Sequence, residues 1–181
     1  MTKCNINQVN NTGDNIIGQV LKQNSLPTSP HLEASKELKP FLNNKKIFIV
    51  HGHDELSKYK LKDYLQNTLH YPEPVILSEI ASQGRTIIES FEEESENVGL
   101  VFVLLTPDDF TNDSHARARQ NVIFELGYFI GKLGRKSGRI IALLKGKVDI
   151  PSDLNGILYI HIDDGIQAAG EKIRKAIEAI E

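Results

Sequence analysis

The chain has 181 residues, which suits one domain of ordinary size with an appendage rather than two full domains. Its 21 basic and 24 acidic residues give a formal net charge of −3 without a strongly basic half, and this argues against nucleic acid as the main partner. The single cysteine, Cys4, excludes an internal disulfide and a cysteine-based zinc cluster, so we expect an intracellular protein.

Neither a secretory signal nor a membrane span is predicted. No charged and then apolar leader pattern opens the sequence, and no apolar run approaches the roughly 20 residues that a transmembrane helix needs. We therefore expect a cytoplasmic location and no membrane partner.

Residues 1–44 differ in composition from the rest of the chain. They are rich in Asn, Gln, Ser, Thr and Lys, and two prolines, Pro27 and Pro30, interrupt them. Such a segment buries too little apolar surface to offset its conformational entropy, although short helices are open over 15–22 and 32–42. We predict a largely flexible extension over 1–44, which a regulatory partner could bind, and a folded domain over 45–181.

From Lys45 onward, short apolar segments alternate with longer amphipathic ones. This alternation is typical of an α/β fold with a parallel sheet. We predict a five-stranded parallel sheet with helices on both faces. The strands are expected at 47–50, 75–77, 98–105, 140–144 and 158–162, and the helices at 55–69, 87–95, 119–131 and 166–180.

Local signals set several helix ends. Asp54 is a plausible N-cap of the first helix. Thr86 and Glu89 have the spacing of a capping box, in which each side chain satisfies a backbone N–H of the first turn. Gly134 suits the C-cap of the helix that contains residues 119–131.

Polar loops follow the first three predicted strands, at 51–54, 78–85 and 106–119. In an open parallel sheet, ligands bind at the carboxyl ends of the strands, so these loops should surround one cleft. The candidate ligand-binding residues are His51, Gly52, His53, Asp54, Ser82, Arg85, Asp108, Phe110 and Asn121.

Glu125 lies in the middle of a helix-length run, 119–131, that is apolar on nearly every face. An ionised carboxylate buried without a partner costs several kcal/mol, so it is paired, neutralised or placed to meet a ligand. One alternative is a structural ion pair with Arg117, Arg119 or Lys132, and another is a solvated position. We favour the ligand, because the helix follows the third loop and Glu125 can face the cleft.

Three segments carry a resemblance to a known family: 48–54 (FIVHGHD), 103–109 (VLLTPDD) and 119–131 (RQNVIFELGYFIG). They resemble the bacterial TIR-like domains, once labelled "predicted nucleotide-binding", that are associated with CBASS and Pycsar anti-phage effectors. The resemblance covers about residues 45–181 and implies a flavodoxin-like TIR fold. It also implies cleavage of NAD+ at the nicotinamide–ribose bond, with Glu125 as the catalytic residue.

The same resemblance implies that NAD+ is a substrate and that no cofactor is required. The products would be nicotinamide and ADP-ribose, linear or cyclic. Activity in the family often depends on self-assembly into a homo-oligomer, and the loop at 78–85 commonly gates the site and mediates assembly. A non-catalytic nucleotide-binding or assembly module remains an alternative, as does transfer of a base or deoxyribose between nucleosides.

Other chemistries fit the motifs poorly. His51-Gly52-His53-Asp54 begins like a metallo-β-lactamase element, but the aspartate comes one residue early and no further histidines follow at useful spacing, so we predict no metal. Asp108 and Asp109 suggest a phosphoacceptor site, but a receiver domain would also have acidic residues at the end of its first strand and a lysine at the end of its last. Here the first strand ends in His51, and the last strand ends without a lysine. No P-loop and no Gly-x-Gly-x-x-Gly fingerprint occurs.

Two of the candidate residues keep two interpretations each. Arg85 either meets a pyrophosphate, assisted by N–H groups at the start of the following helix, or is an exposed loop arginine. Phe110 either stacks on adenine or nicotinamide or packs under its loop.

Overall fold

Four parallel strands form the central sheet, in the order β1-β2-β5-β6. The computed structural model describes residues 42, 44–81, 84–110, 115–154 and 156–180. The sheet strands are β1 (Lys46–Val50), β2 (Val98–Leu105), β5 (Ile140–Leu144) and β6 (Leu158–His161), while β3 (Asp109–Phe110) and β4 (Ala116–Arg117) form a short antiparallel pair. The helices are α1 (Glu55–Asp63), α2 (Ile87–Glu94), α3 (Gln120–Leu133) and α4 (Ile166–Glu178).

Shorter helical segments complete the fold. A π-helical turn, Tyr64–Thr68, continues α1, and 3-10 turns occupy Leu77–Glu79, Arg135–Ser137 and Ser152–Leu154. The predicted extension over 1–44 lies outside the described residues except for Leu42 and Asn44, and Leu42 is buried in the core. None of the described helices is long and apolar enough to cross a membrane.

The predicted α/β fold with a parallel sheet is confirmed, but the number of strands is wrong: over the described residues the sheet has four, not five. The segment predicted as the second strand pairs with β1 only at Val75, whose N–H donates to the Ile47 carbonyl at 2.7 Å and whose carbonyl accepts from the Ile49 N–H at 2.9 Å. The 3-10 turn Leu77–Glu79 begins two residues after Val75, at the next position whose N–H would face β1. The strand is therefore reduced to a single bridge.

Both faces of the sheet are buried because successive side chains of a strand point to opposite faces. On β1, Ile47 and Ile49 pack into the core beneath α1 and α4, whereas Phe48 and Val50 pack into the core beneath α2 and α3. All eight residues of β2 are buried. This double coverage explains why the strands read as continuous apolar runs.

The topology creates a crevice at the carboxyl ends of β1 and β2. After β1 the chain passes through α1 on one face to the bridge at Val75, on the outer side of β1. After β2 it passes through α3 on the opposite face to β5, on the other side. Ligands of doubly wound sheets bind at such a reversal of strand order, so the fold directs attention to this edge.

The predicted helix caps are confirmed. The Asp54 carboxylate accepts the Ser57 N–H at 3.0 Å and begins α1. Thr86 and Glu89 form the reciprocal capping box of α2. Gly134, with φ of 81°, ends α3.

Candidate functional site

A cavity of about 260 Å³ lies at the crevice, between the loop after β1 and helices α2 and α3. Its polar lining comes from four different parts of the chain, and three isoleucine or leucine side chains supply much of the apolar wall. The lining residues are His51, Gly52, Leu77, Ser78, Ile80, Ile87, Ser90, Arg119, Asn121 and Glu125.

The packing of α3 places Glu125 in this cavity. Val122, Leu126 and Phe129 are buried against the sheet at helical spacing, and Glu125 lies at the border of that apolar stripe. Burial raises the pKa of its carboxyl group from 4.5 to about 7, although the nearby Arg119 guanidinium lowers it.

Glu125 makes no hydrogen bond or ion pair with any residue that the structure describes. Lys132, one of the expected partners, instead bonds to Glu96 at 3.0 Å. Arg119 directs its guanidinium to His53 Nε2 at 2.9 Å. A structural ion pair therefore does not account for this carboxylate within the described part of the chain.

A second polar group of the cavity also lacks a partner. Ser90, on α2, is buried, and its hydroxyl forms no hydrogen bond within the described ranges. Buried polar side chains in native proteins almost always have a partner, from the protein or from a bound molecule. The Ser90 oxygen is buried and is not exposed to the cavity, whereas the Glu125 carboxylate is placed to meet something that enters it.

His51 joins the loop after β1 to the turn that begins at Leu77. Its Nδ1 lies 2.8 Å from the Gly52 carbonyl oxygen, and its Nε2 lies 3.0 Å from the Ser78 hydroxyl. A carbonyl only accepts, so Nδ1 carries the proton, and Nε2 of the neutral ring accepts from Ser78. Burial lowers the pKa of His51, which favours this neutral form.

A second cavity, of about 510 Å³, lies on the other side of Arg119. The hydrogen bond from Arg119 to His53 lies between the two, since Arg119 lines the first cavity and His53 the second. The second cavity is lined by His53, Asp54, Thr106, Pro107, Asp108, Lys145, Gly146 and Asp163.

A match to a family model identifies the family of this chain. The model described as "CAP12/Pycsar effector protein, TIR domain" matches residues 46–164, which span the sheet and the cavity. The chain belongs to this family. The predicted resemblance to bacterial TIR-like effector domains is thereby confirmed.

Three relatives show how far the similarity extends. "Uncharacterized protein YuaY" of Escherichia coli (strain K12) is 47% identical over 131 residues, or 67% of this chain and 41% of the relative. "Protein tirC" of Dictyostelium discoideum is 36% identical over 141 residues, or 71% of this chain and 69% of the relative. "Pycsar effector protein PaPycTIR" of Pseudomonas aeruginosa is 36% identical over 76 residues, or 40% of this chain and 25% of the relative.

The TIR domain brings together some of the predicted site residues and separates others. His51, Gly52, Asn121 and Glu125 line the first cavity. His53, Asp54 and Asp108 line the second cavity. Arg85 and Phe110 line neither of these two cavities, and Ser82 lies outside the described residues.

Two of these residues contact other protein side chains, and a third is exposed to solvent. Asp54 caps α1 and is 2.6 Å from Lys145 Nζ; burial opposes its ionisation, but hydrogen bonds from Lys145 and Ser57 hold its pKa below the usual range. Arg85 forms an ion pair with Glu93. Phe110 is 69% exposed on β3. Ligand binding by these residues stays a prediction.

Asp108 holds the loop after β1 in place. Its Oδ1 accepts the Thr106 hydroxyl at 3.0 Å and the His53 N–H at 3.3 Å. The other oxygen, Oδ2, lies where a side-chain carbon of residue 52 would be, so the backbone of Gly52 can approach the carboxylate only because it has no side chain. The HGH segment and the loop after β2 are therefore packed directly together.

Replacing Gly52 with alanine is expected to destabilise the domain by about 2 kcal/mol, since the new methyl group overlaps Asp108 Oδ2 and forces this carboxylate off its two donors. Denaturant unfolding measures the change. The matched control is Gly127→Ala, where nothing lies within 4 Å and the helix should gain stability instead. In an Asp108→Ala background the cost of Gly52→Ala should nearly disappear; a cost that stays the same would show that the clash lies elsewhere.

The sequence did not single out Ser78, Ser90 or Arg119 as ligand-binding residues. Ser78 belongs to the predicted polar loop 78–85, and Arg119 ends the predicted loop 106–119 and is also a possible ion-pair partner of Glu125. Ser90 carries no signal, because a lone serine in an amphipathic helix is usually on the surface. Among the residues that the structure describes, no three His, Cys, Asp or Glu side chains are arranged to hold a metal ion.

Proposed function

We propose that this TIR domain hydrolyses NAD+ at the nicotinamide–ribose bond, with Glu125 as the catalytic carboxylate. The observation that carries the proposal is the partly buried Glu125 side chain, which faces the cavity and has no partner among the described residues. Membership of the CAP12/Pycsar effector family supports a role in anti-phage defence, and two curated relatives are named as Pycsar effector proteins.

The chemistry suits a single carboxylate. When the bond between ribose C1′ and the pyridinium nitrogen breaks, the electron pair goes to that nitrogen and nicotinamide leaves as a neutral molecule, so no general acid is needed. Positive charge develops on the ribose, and an ionised carboxylate in a site shielded from water stabilises it. The cationic nicotinamide ring of the bound substrate also favours the ionised form of Glu125.

The dimensions of the cavity favour one end of the dinucleotide. A volume of about 260 Å³ lies below the range of about 300–1,000 Å³ that is usual for sites of drug-sized ligands. Nicotinamide and its ribose would occupy the cavity, and Arg119 at its border is the guanidinium best placed for the diphosphate. Arg119 therefore replaces Arg85 as our candidate for this contact.

The remaining part of the substrate would be covered by a second copy of the chain. Apolar side chains near the cavity support this homo-oligomer: Ile87 is 79% exposed and lines the cavity, Ile88 is 45% exposed, and Phe124 on α3 is 58% exposed. Large exposed apolar side chains grouped on two neighbouring helices are typical of interaction surfaces. Assembly would then raise the activity of each protomer.

The test is the release of nicotinamide from NAD+ at high protein concentration, with a crowding agent. We expect nicotinamide together with ADP-ribose or its cyclic form, at a rate per protomer that rises with protein concentration. If folded protein released none, yet NAD+ raised its melting temperature, the non-catalytic nucleotide-binding module would replace the enzyme. Because the chain spans 41% of the E. coli relative and 25% of the Pseudomonas one, this assay concerns the TIR domain, not a whole effector.

A regulatory partner acting through residues 1–44 stays a prediction, because nearly all of that segment lies outside the described residues.

A further inference from the structure

The Ser78–His51 pair faces the same cavity as Glu125 and has the hydrogen bonds expected of an activated hydroxyl group. The Ser78 hydroxyl donates to His51 Nε2 at 3.0 Å, and the opposite ring nitrogen, Nδ1, is held by the Gly52 carbonyl at 2.8 Å. Both residues line the cavity. A hydroxyl bonded to a base that a third group orients is the arrangement by which proteins activate oxygen nucleophiles.

The surroundings of His51 suit a group that takes up a proton and later gives it away. The ring is mostly buried, with its side chain 11% exposed, so its orientation is fixed by packing as well as by hydrogen bonds. Burial and the nearby Lys58 ammonium disfavour the imidazolium form, so the ring is neutral and free to accept a proton, while the Glu55 carboxylate 3.9 Å from Nδ1 partly offsets them once the proton arrives. Gly52, whose carbonyl orients the ring, is itself held against Asp108.

A purely structural role would tie the turn Leu77–Glu79 to the end of β1. That role is served by the hydrogen bond alone and does not require the serine oxygen to border the cavity. The Ser78 oxygen keeps accepting capacity after its proton is directed to His51, because a hydroxyl has two lone pairs. A water molecule in the cavity can donate to that oxygen.

We propose that Ser78 and His51 form a proton relay that activates the water attacking the ribosyl group, which makes the pair responsible for hydrolysis but not for nicotinamide departure. This inference rests on the proposed NAD+ hydrolase function. The C1′–N bond breaks first, with its electron pair leaving on nicotinamide, and Glu125 stabilises the ribosyl cation; the water oxygen then bonds to C1′. One proton passes from the water to Ser78 Oγ, and the proton of Ser78 passes to His51 Nε2.

A competing reaction separates the two roles. A pyridine-type base such as nicotinamide attacks C1′ through a nitrogen lone pair and has no proton to lose, so its capture of the ribosyl group needs no relay. Water loses a proton when it attacks C1′, so its reaction does need the relay. The ratio of base exchange to hydrolysis therefore reports on the relay, and it does not depend on how much of a sample is folded.

The experiment measures, in one reaction, the incorporation of isotopically labelled nicotinamide into NAD+ and the formation of ADP-ribose. In Ser78→Ala and in His51→Gln we expect ADP-ribose formation to fall at least about tenfold while exchange changes by less than about threefold, since a general base contributes about 10²–10⁴-fold to the step it serves. The matched control is Ser152→Ala, an exposed serine in another 3-10 turn, which should leave both rates unchanged.

Each outcome decides the matter. An equal fall of both rates, or no fall in either, would overturn the relay while leaving the hydrolase in place. Absence of both exchange and hydrolysis in the wild-type protein would instead remove the proposed function. Loss of both reactions in Glu125→Gln, with exchange retained in Ser78→Ala, is the pattern that supports the two assignments separately.

Discussion

Glu125→Gln is expected to lower nicotinamide release from NAD+ by at least about 100-fold, the loss typical when a group that stabilises transition-state charge is removed. Glutamine keeps the shape of the side chain but removes its charge and replaces one accepting oxygen with an NH2 donor. The carboxylate faces the cavity and has no described partner, so its removal should leave the surrounding structure intact. Release is measured at several NAD+ concentrations to show that the loss lies in turnover.

The matched control for this substitution is Glu92→Gln. Glu92 is an exposed residue of α2, and it lines neither of the two cavities. Its variant should release nicotinamide at the wild-type rate. If Glu125→Gln kept more than about a tenth of the activity, the negative charge of Glu125 would not be the main source of stabilisation, and the mechanism proposed here would be wrong.

The same substitution is expected to stabilise the fold, by up to about 3 kcal/mol at about pH 8 and by nothing near pH 4. Burial raises the pKa of Glu125 from 4.5 to about 7. The folded protein therefore disfavours the ionised carboxylate relative to the unfolded chain. This cost is absent below the unfolded pKa, grows as the pH rises from 4.5 to about 7, and is complete above that value.

The measurement is the free energy of unfolding by denaturant at about pH 4, 6 and 8, for wild type, Glu125→Gln and Glu92→Gln. The difference between wild type and Glu125→Gln should grow with pH, and the exposed Glu92→Gln serves as the control for loss of a surface charge. A gain that did not change with pH would point to packing instead of charge. A loss of stability would mean that the carboxylate has a partner in the folded protein.

A substitution that stabilises the fold while removing activity marks a group kept for function at a cost in stability. The Glu125 carboxylate gains a partner when a cationic ligand enters, so a saturating concentration of an NAD+ analogue that cannot be cleaved should add to the stability of the wild type.

Much of the fold is readable from the chain because local rules decide it. The strands β2 and β5 occupy the predicted ranges, since long β-branched and apolar runs have no other stable place than a sheet covered on both faces. Capping chemistry located the starts of α1 and α2 at Asp54 and Thr86 for the same reason: each signal acts within four residues.

The second predicted strand failed because strand formation is not local. The segment around Val75 is apolar enough, but the 3-10 turn Leu77–Glu79 follows at once and only Val75 pairs with β1. Whether a short apolar run extends a sheet depends on the neighbouring strand edge, and a window of sequence does not contain that edge.

For the functional site, the sequence by itself determined that a carboxylate stands in an apolar helix at residue 125 and that polar loops follow the first strands. Only the tertiary structure decided what surrounds it. The bond from Arg119 to His53 joins residues 66 positions apart, that from Lys132 to Glu96 joins residues 36 apart, and that from Ser78 to His51 joins residues 27 apart. These contacts leave Glu125 without a described partner, and they arise because the sheet order brings distant loops to one edge, a consequence of packing that no local pattern records.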